Sequence, residues 1–270
     1  NATCKQPGIE WKYLPLFLLN PLRHNGGNTF NFLQTMTQYQ RNADTNNKLQ
    51  RYCRIRVHGI NKFNNFLHGA HLELMTNNII RMYGVETLDI TIPLSSQTVV
   101  YMSNSLPLAL FRICPNLRAV DFSNVRMRGS LLRDCSRECH RLEKITWCHI
   151  HGCSHINVNG EGMESATNLR EIIMDASFFY GRTDLGRMSD LNNHPHFFLF
   201  HRCCNKGLER LSIRNAIHAV YGQSKSSVSQ NALIKFVRNV PSTLKWFRSD
   251  LTHENLNMLR LERPDIELLN

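Results

Sequence analysis

Leu117-Arg118-Ala119-Val120-Asp121-Phe122 is the stretch whose pattern decides how this chain is read. Apolar residues stand at its first, fourth and sixth positions. The same spacing returns at Leu142, Ile145 and Trp147, at Leu169, Ile172 and Met174, and at Leu208, Leu211 and Ile213. Upstream it returns at Tyr52, Ile55 and Val57 and at Val85, Leu88 and Ile90. The last of the seven copies is degenerate: Leu244 and Phe247 fit, but Ser249 holds the sixth position. A unit with one short strand cannot bury its own apolar side, so neighbouring units must stack into a continuous core.

Between the copies lie helical signals. Ala70 to Met82 places Leu72, Met75, Ile79 and Met82 at helical spacing. Ser103 to Cys114 does the same with Leu106, Leu110 and Ile113, and Pro115 follows its end. Ser130 to Cys139, His196 to Cys204, Ser227 to Asn239 and Glu254 to Leu261 complete the series. The expected alternation is strand, loop, helix. First positions fall at 52, 85, 117, 142, 169, 208 and 244, so intervals run from 25 to 39 residues. The polar stretch from Gly181 to Asn193 makes the longest interval an excursion loop. An ordinary α/β domain with alternating strands and helices remains the alternative to a solenoid.

Asn116-Leu117-x-x-Val120-x-Phe122 and Leu142-x-x-Ile145-x-Trp147 resemble leucine-rich repeats of the ribonuclease-inhibitor-like class. The run Leu233 to Asn239 followed by Leu244 to Asp250 is similar to diatom-type algal leucine-rich-repeat proteins. The resemblance covers residues 52 to 270 and implies an α/β solenoid, with parallel strands on one face and helices on the other. The repeat domain is expected over 49–270; residues 1–48 fit no copy and are expected to form an N-terminal helical cap, which a solenoid's open face needs, or a docking segment. The family places Asn or Cys at position 9; here that position holds Ile60, Pro93, Val125, Ile150, Ser177, Ala216 and Thr252.

Strand alternation leaves positions 2, 3, 5 and 7 largely exposed. Together they carry nine basic and eight acidic residues, so most of the chain's +11 charge resides elsewhere. Examples are Arg126, Arg128, Arg133, Arg137 and Arg141. A nucleic-acid groove would be strongly positive with few carboxylates. This mixed face favours a protein partner, with binding expected at Arg54, Arg56, Lys144, Arg210, Arg214, Trp246 and Arg248. Trp and Arg are enriched at binding hot spots, although Trp246 could instead pack against the last helix.

Cys135, Cys139, His140, Cys148, His149, His151, Cys153 and His155 form the sharpest chemical cluster. Zinc needs converging ligands, and the alternation from Cys148 to His155 would split an extended strand's ligands between two faces. Buried thiols and loop histidines are the reading taken; a metal-binding protein or enzyme using 135–155 is the alternative. The chain has no P-loop, nucleophile elbow or His-Glu-x-x-His zinc helix. No catalytic residue and no cofactor are therefore expected, and the function expected is non-enzymatic.

Nine cysteines, an odd number mostly set beside apolar residues, suit a reducing compartment, cytoplasm or nucleus. No apolar run approaches the roughly 20 residues of a membrane span. Asn1 in place of Met reads as a fragment or a processed form. Many repeat proteins of the class carry an N-terminal F-box, which docks a ubiquitin-ligase adaptor. Tyr13-Leu14-Pro15-Leu16-Phe17 is similar to its Leu-Pro start, so substrate recognition for such a ligase is the second functional expectation.

Overall fold

The computed structural model describes residues 14–17, 54–58, 81–91, 100–101, 104–149, 156–157, 162–163, 165–181, 201–204, 206–220 and 226–270. In chain order the first strands are β1 (Leu14–Phe17), β2 (Arg54–His58), β3 (Thr87–Asp89) and β4 (Val100–Tyr101). Helix α1 (Ser105–Ile113), β5 (Ala119–Asp121), β6 (Val125–Arg126), α2 (Ser130–Glu138) and β7 (Lys144–Thr146) follow. Next come β8 (Ile156–Asn157), β9 (Glu171–Ile173), β10 (Phe178–Gly181), α3 (His201–Cys204), β11 (Arg210–Ser212), β12 (Ile217–Val220) and β13 (Ser226–Ser227). The chain closes with α4 (Gln230–Asn239), β14 (Trp246–Arg248), α5 (His253–Glu262) and β15 (Glu267–Leu269).

Nine strands form one sheet in the order β1-β2-β3-β5-β7-β9-β11-β14-β15. Every pairing in it is parallel. The fold is therefore α/β with a parallel sheet. Position 3 of each copy lies beside position 3 of the next: Arg54, Thr87, Ala119, Lys144, Glu171, Arg210 and Trp246 run in register. A slip of one residue would exchange the two faces, so the apolar pattern holds this register.

The pattern's apolar residues make the core. Val85, Leu88 and Ile90, Leu117, Val120 and Phe122, and Leu142, Ile145 and Trp147 are all buried. So are Leu169, Ile172 and Met174, Leu208, Leu211 and Ile213, and Leu244 and Phe247. Phe122 and Trp147, just beyond the parallel strands β5 and β7, meet edge to face at 5.8 Å between ring centroids. Helices α1, α2, α4 and α5 add Leu110, Ile113, Leu131, Leu132, Leu233, Phe236, Leu256 and Leu259. Ser249 is buried with the others, and its hydroxyl has no hydrogen-bond partner among the described residues.

Four features depart from the sequence expectation. The first is β1. Residues 1–48 were expected as a helical cap outside the strand series, yet Leu14–Phe17 pairs with β2, Leu14 beside Ile55 and Leu16 beside Val57. The register makes Leu14 and Leu16 positions 4 and 6, and Trp11 then falls at position 1. The apolar spacing was present as an eighth copy, with Pro15 tolerated because an edge strand need not donate every N–H. The rest of the segment lies outside the described residues.

The second is β15, which extends the sheet past α5. Its Asp265 and Asn270 occupy positions 1 and 6, so the template misses it. The third is a set of short second strands where a plain loop was expected. β8, β10, β12 and β13 make a four-stranded sheet, and β4 pairs with β6. The fourth is what separates the two strands of a unit. Asn124, His149, Ala176 and Asn215, all at position 8, have φ of 65°, 58°, 50° and 56°. This left-handed residue turns the chain off the main strand.

The helix expected from Ala70 lies outside the described residues except for Arg81 and Met82, which are not helical. Of the helix expected over 196–204, His201–Cys204 is described and helical. No described helix is long and apolar enough to cross a membrane.

Candidate functional site

Each unit's buried positions hold its strand in the sheet, and the residues between them stand on the opposite face. The backbone ends of the strands are satisfied without a position 9 Asn. Trp147 Nε1 donates to the Val125 carbonyl at 3.0 Å, and Ser177 Oγ donates to the Trp147 carbonyl at 2.9 Å. A polar ladder exists, but just before the strand. Asn116 Nδ2 donates to the Tyr83 carbonyl and Asn168 Nδ2 to the His140 carbonyl, both at 2.8 Å. The repeated Asn-Leu-Arg at 116–118 and 168–170 was its signal.

Position 2 forms a charge-alternating row. Arg118 lies 3.7 Å from Glu86 and 3.5 Å from Glu143, and Arg170 lies 3.6 Å from Glu209. These pairs are solvated and contribute little to stability each. On the strand face proper, Arg54 pairs with Asp89 at 3.0 Å, and Thr91 Oγ1 donates to the same carboxylate at 2.8 Å. Arg56 stands opposite Asp89 in register; its side chain lies outside the described residues.

Toward the C-terminal end the charges become a network. Glu171 lies between two cations, Lys144 at 3.3 Å and Arg210 at 3.5 Å. Asp175 accepts from Ser212 Oγ, from the Arg214 backbone N–H and from Arg248. Arg248 Nε also donates to Ser212 Oγ at 2.8 Å. Trp246 carries both guanidinium groups: Arg210 lies 4.5 Å and Arg248 5.7 Å from its ring centroid. Such stacking is worth roughly 0.5–2 kcal/mol per contact, more where water is excluded.

Of the seven residues singled out in sequence, the structure groups Lys144, Arg210, Arg214, Trp246 and Arg248 on β7, β11 and β14 and the flank of β11, within a span of four neighbouring strands. Arg54 and Arg56 stand on β2, separated from β11 by four strands. The expectation that position 3 exposes Trp246 is corrected: the residue is 8% exposed, beneath its two arginines. The expectation missed Glu171, Asp175 and Ser212 as the groups that organise the cations. They fall at positions 3, 7 and 5 of their copies, but a pattern of positions does not show which charges meet.

Burial sets the chemistry of the titrating groups. Asp121 is pushed above the usual carboxylate range by burial first, opposed by hydrogen bonds from Ser123. Nearby Asp89 raises it further and Lys144 lowers it. Burial also pushes the Cys114, Cys135, Cys148 and Cys204 thiols up, so none is a thiolate nucleophile near neutrality. Among the described residues, Cys114, Cys135, Cys139, Cys148 and Cys204 are free thiols. Cys135 and Cys139 are buried one helical turn apart, and Cys148 sits on the strand face beside Ser123. Among the described residues no group of three or more His, Cys, Asp or Glu side chains is placed to hold a metal ion. His151, Cys153 and His155 of the cluster lie outside them.

No family model matches the chain, and no curated protein matches it either.

Proposed function

We propose that this chain is a leucine-rich-repeat solenoid and acts as a non-enzymatic protein-binding module, using its strand face. The observation that carries the reading is the in-register row of position 3 residues across successive parallel strands. Such a row offers a partner many side chains on a rigid array, which is how solenoids recognise proteins. The face's mixed charge supports a protein over nucleic acid. Its two arginines ordered on Trp246 supply the residue types found at hot spots, already held in place before binding.

The test is affinity capture followed by measured binding to the captured protein. Replacing Arg210 and Arg214 together with Ala is expected to weaken binding by about 2 kcal/mol. Thermal melts should show the chain still folded. Replacing Arg128 and Arg133 around α2 should leave binding nearly unchanged. The reading fails if the helix-side pair abolishes binding while the strand-face pair does not.

A further inference from the structure

The C-terminal half of the face has an asymmetry that a simple count of charges hides. Its two central ion-paired carboxylates, Glu171 and Asp175, are sunk and their cations stand above them. The Glu171 side chain is 20% exposed, against 40% for Lys144 and 46% for Arg210. The Asp175 side chain is 17% exposed, against 32% for Arg248. Arg214 and Lys245 are exposed and belong to no ion pair among the described residues. The sunk acids hold the cations from beneath, and the more exposed groups on top are the cations.

The donors are also only partly used. Arg210 turns Nε to Glu171 and sets its guanidinium carbon over the Trp246 ring, and its terminal nitrogens make no hydrogen bond among the described residues. Arg248 directs Nε to Ser212 and Nη2 to Asp175, which leaves Nη1. A guanidinium held in this way presents N–H groups in a fixed fork, matched to a carboxylate.

We propose that this half of the face, over β9, β11 and β14, receives an acidic segment of a protein partner. Its carboxylates pair with Arg210, Arg214 and Arg248, with Lys144 and Lys245 at the margins. The proposal rests on the reading of the strand face as a protein-binding surface and names the chemistry of the partner. Glu209 at 53% side-chain exposure, with Asp250 and Glu267 at the rim, disfavours a nucleic-acid backbone, whose regularly spaced phosphates would meet these acids. A polypeptide can place its acids over the cations and neutral residues over the rim.

The test is fluorescence anisotropy of a labelled oligo-glutamate peptide titrated with the full chain at low salt. An oligothymidylate of equal charge and an oligo-lysine run in parallel. Reversing Arg210→Glu with Arg214→Glu is expected to weaken oligo-glutamate binding by about tenfold or more. The pair Arg128→Glu with Arg133→Glu makes the same change in net charge near α2 and should weaken it less than about twofold. A second reversal, Arg214→Glu with Lys245→Glu, breaks no ion pair among the described residues, so it keeps the test valid if the first pair lowers stability. No binding of oligo-glutamate overturns the proposal, as does equal loss from the α2 pair, which would mean that only net charge is sensed. Tighter binding of oligothymidylate, lost with the same face variants, assigns the surface to nucleic acid instead. A captured partner that needs Arg210 and Arg214, yet binds undiminished after its acidic segments are neutralised, sinks this proposal alone. Partners indifferent to every face variant sink the face reading itself.

Discussion

Ala176 has no side-chain device to ease its φ of 50°, whereas Asn124 and Asn215 at the equivalent position are of a type that visits this region. The left-handed turn is demanded by the passage from β9 to β10, not chosen by the residue. Ala176→Gly removes the clash of Cβ with the backbone, worth roughly 1–2 kcal/mol, and adds unfolded-state freedom worth about 0.4–1 kcal/mol. A net gain of up to about 1.6 kcal/mol is expected in urea melts. A loss would show that the Ala176 methyl packs productively. Asp121 carries a second residue-scale consequence. Its folded pKa is raised, chiefly by burial, so the folded state holds the proton more tightly than the unfolded state. Stability is then highest below the unfolded pKa and falls as pH rises from there through the folded value. Asp121→Asn keeps an oxygen for the Ser123 N–H, 2.9 Å away, and removes the charge. The variant should be more stable than the parent at neutral pH, with the gain vanishing in acid. An equal gain at both pH values would assign it to packing instead.

Elements differ in how well the sequence announces them. The main strands were legible because positions 1, 4 and 6 must all be apolar to reach the core, and Phe122 and Trp147 signal this strongly. α4 and α5 were legible too, since each opens on a capping side chain. Ser229 Oγ accepts from the Ala232 N–H and Thr252 Oγ from the Asn255 N–H, both at 3.3 Å. The second strands were not legible. β4, β6 and β8 are two residues long, too short for any alternation to register. β1 escaped because Pro15 interrupts it, and β15 because its outer positions face solvent and need no apolar residue. The face network was beyond a positional reading, because Asp175 meets Arg248 across 73 residues of chain. One unannounced side chain joins two elements at the C-terminal end. Gln230, the first residue of α4, donates to the Asp250 carbonyl at 2.7 Å and accepts from the Thr252 N–H at 2.9 Å. It also accepts from Asn255 Nδ2 at 2.8 Å, and so fixes the start of α5 against the exit of β14. Gln230→Ala should cost about 1–3 kcal/mol, since it removes the donor to the part-buried Asp250 carbonyl and the acceptor for the Thr252 N–H and Asn255 Nδ2. Gln230→Glu keeps acceptors for Thr252 and Asn255 and should cost less. Equal losses in the two variants would mean that the bond to Asp250 carries the whole effect.

Across the whole molecule, the order of the large sheet follows the order of the chain. Each strand pairs only with the strands of the copies before and after it. Backbone pairing is therefore confined to neighbouring copies, and apart from side-chain links such as Asp175 to Arg248, stability should decompose into units and the interfaces between them. Two core changes of comparable severity then have different reach. Leu268 is buried on β15 at the end of the sheet, and Trp147 is buried midway along it. Leu268→Ala should cost about 2–5 kcal/mol locally and Trp147→Ala about 3–5. In native-state hydrogen exchange, Leu268→Ala should speed the amides of β14, β15 and α5 while those of β5 and β7 keep their protection. Trp147→Ala removes both the ring against Phe122 and the donor to the Val125 carbonyl, so it should speed exchange in β5, β7 and β9 together. If Leu268→Ala instead speeds every strand equally, the sheet unfolds as one cooperative body. The independence of units, on which the repeat reading depends, would then be wrong even though the parallel order stands.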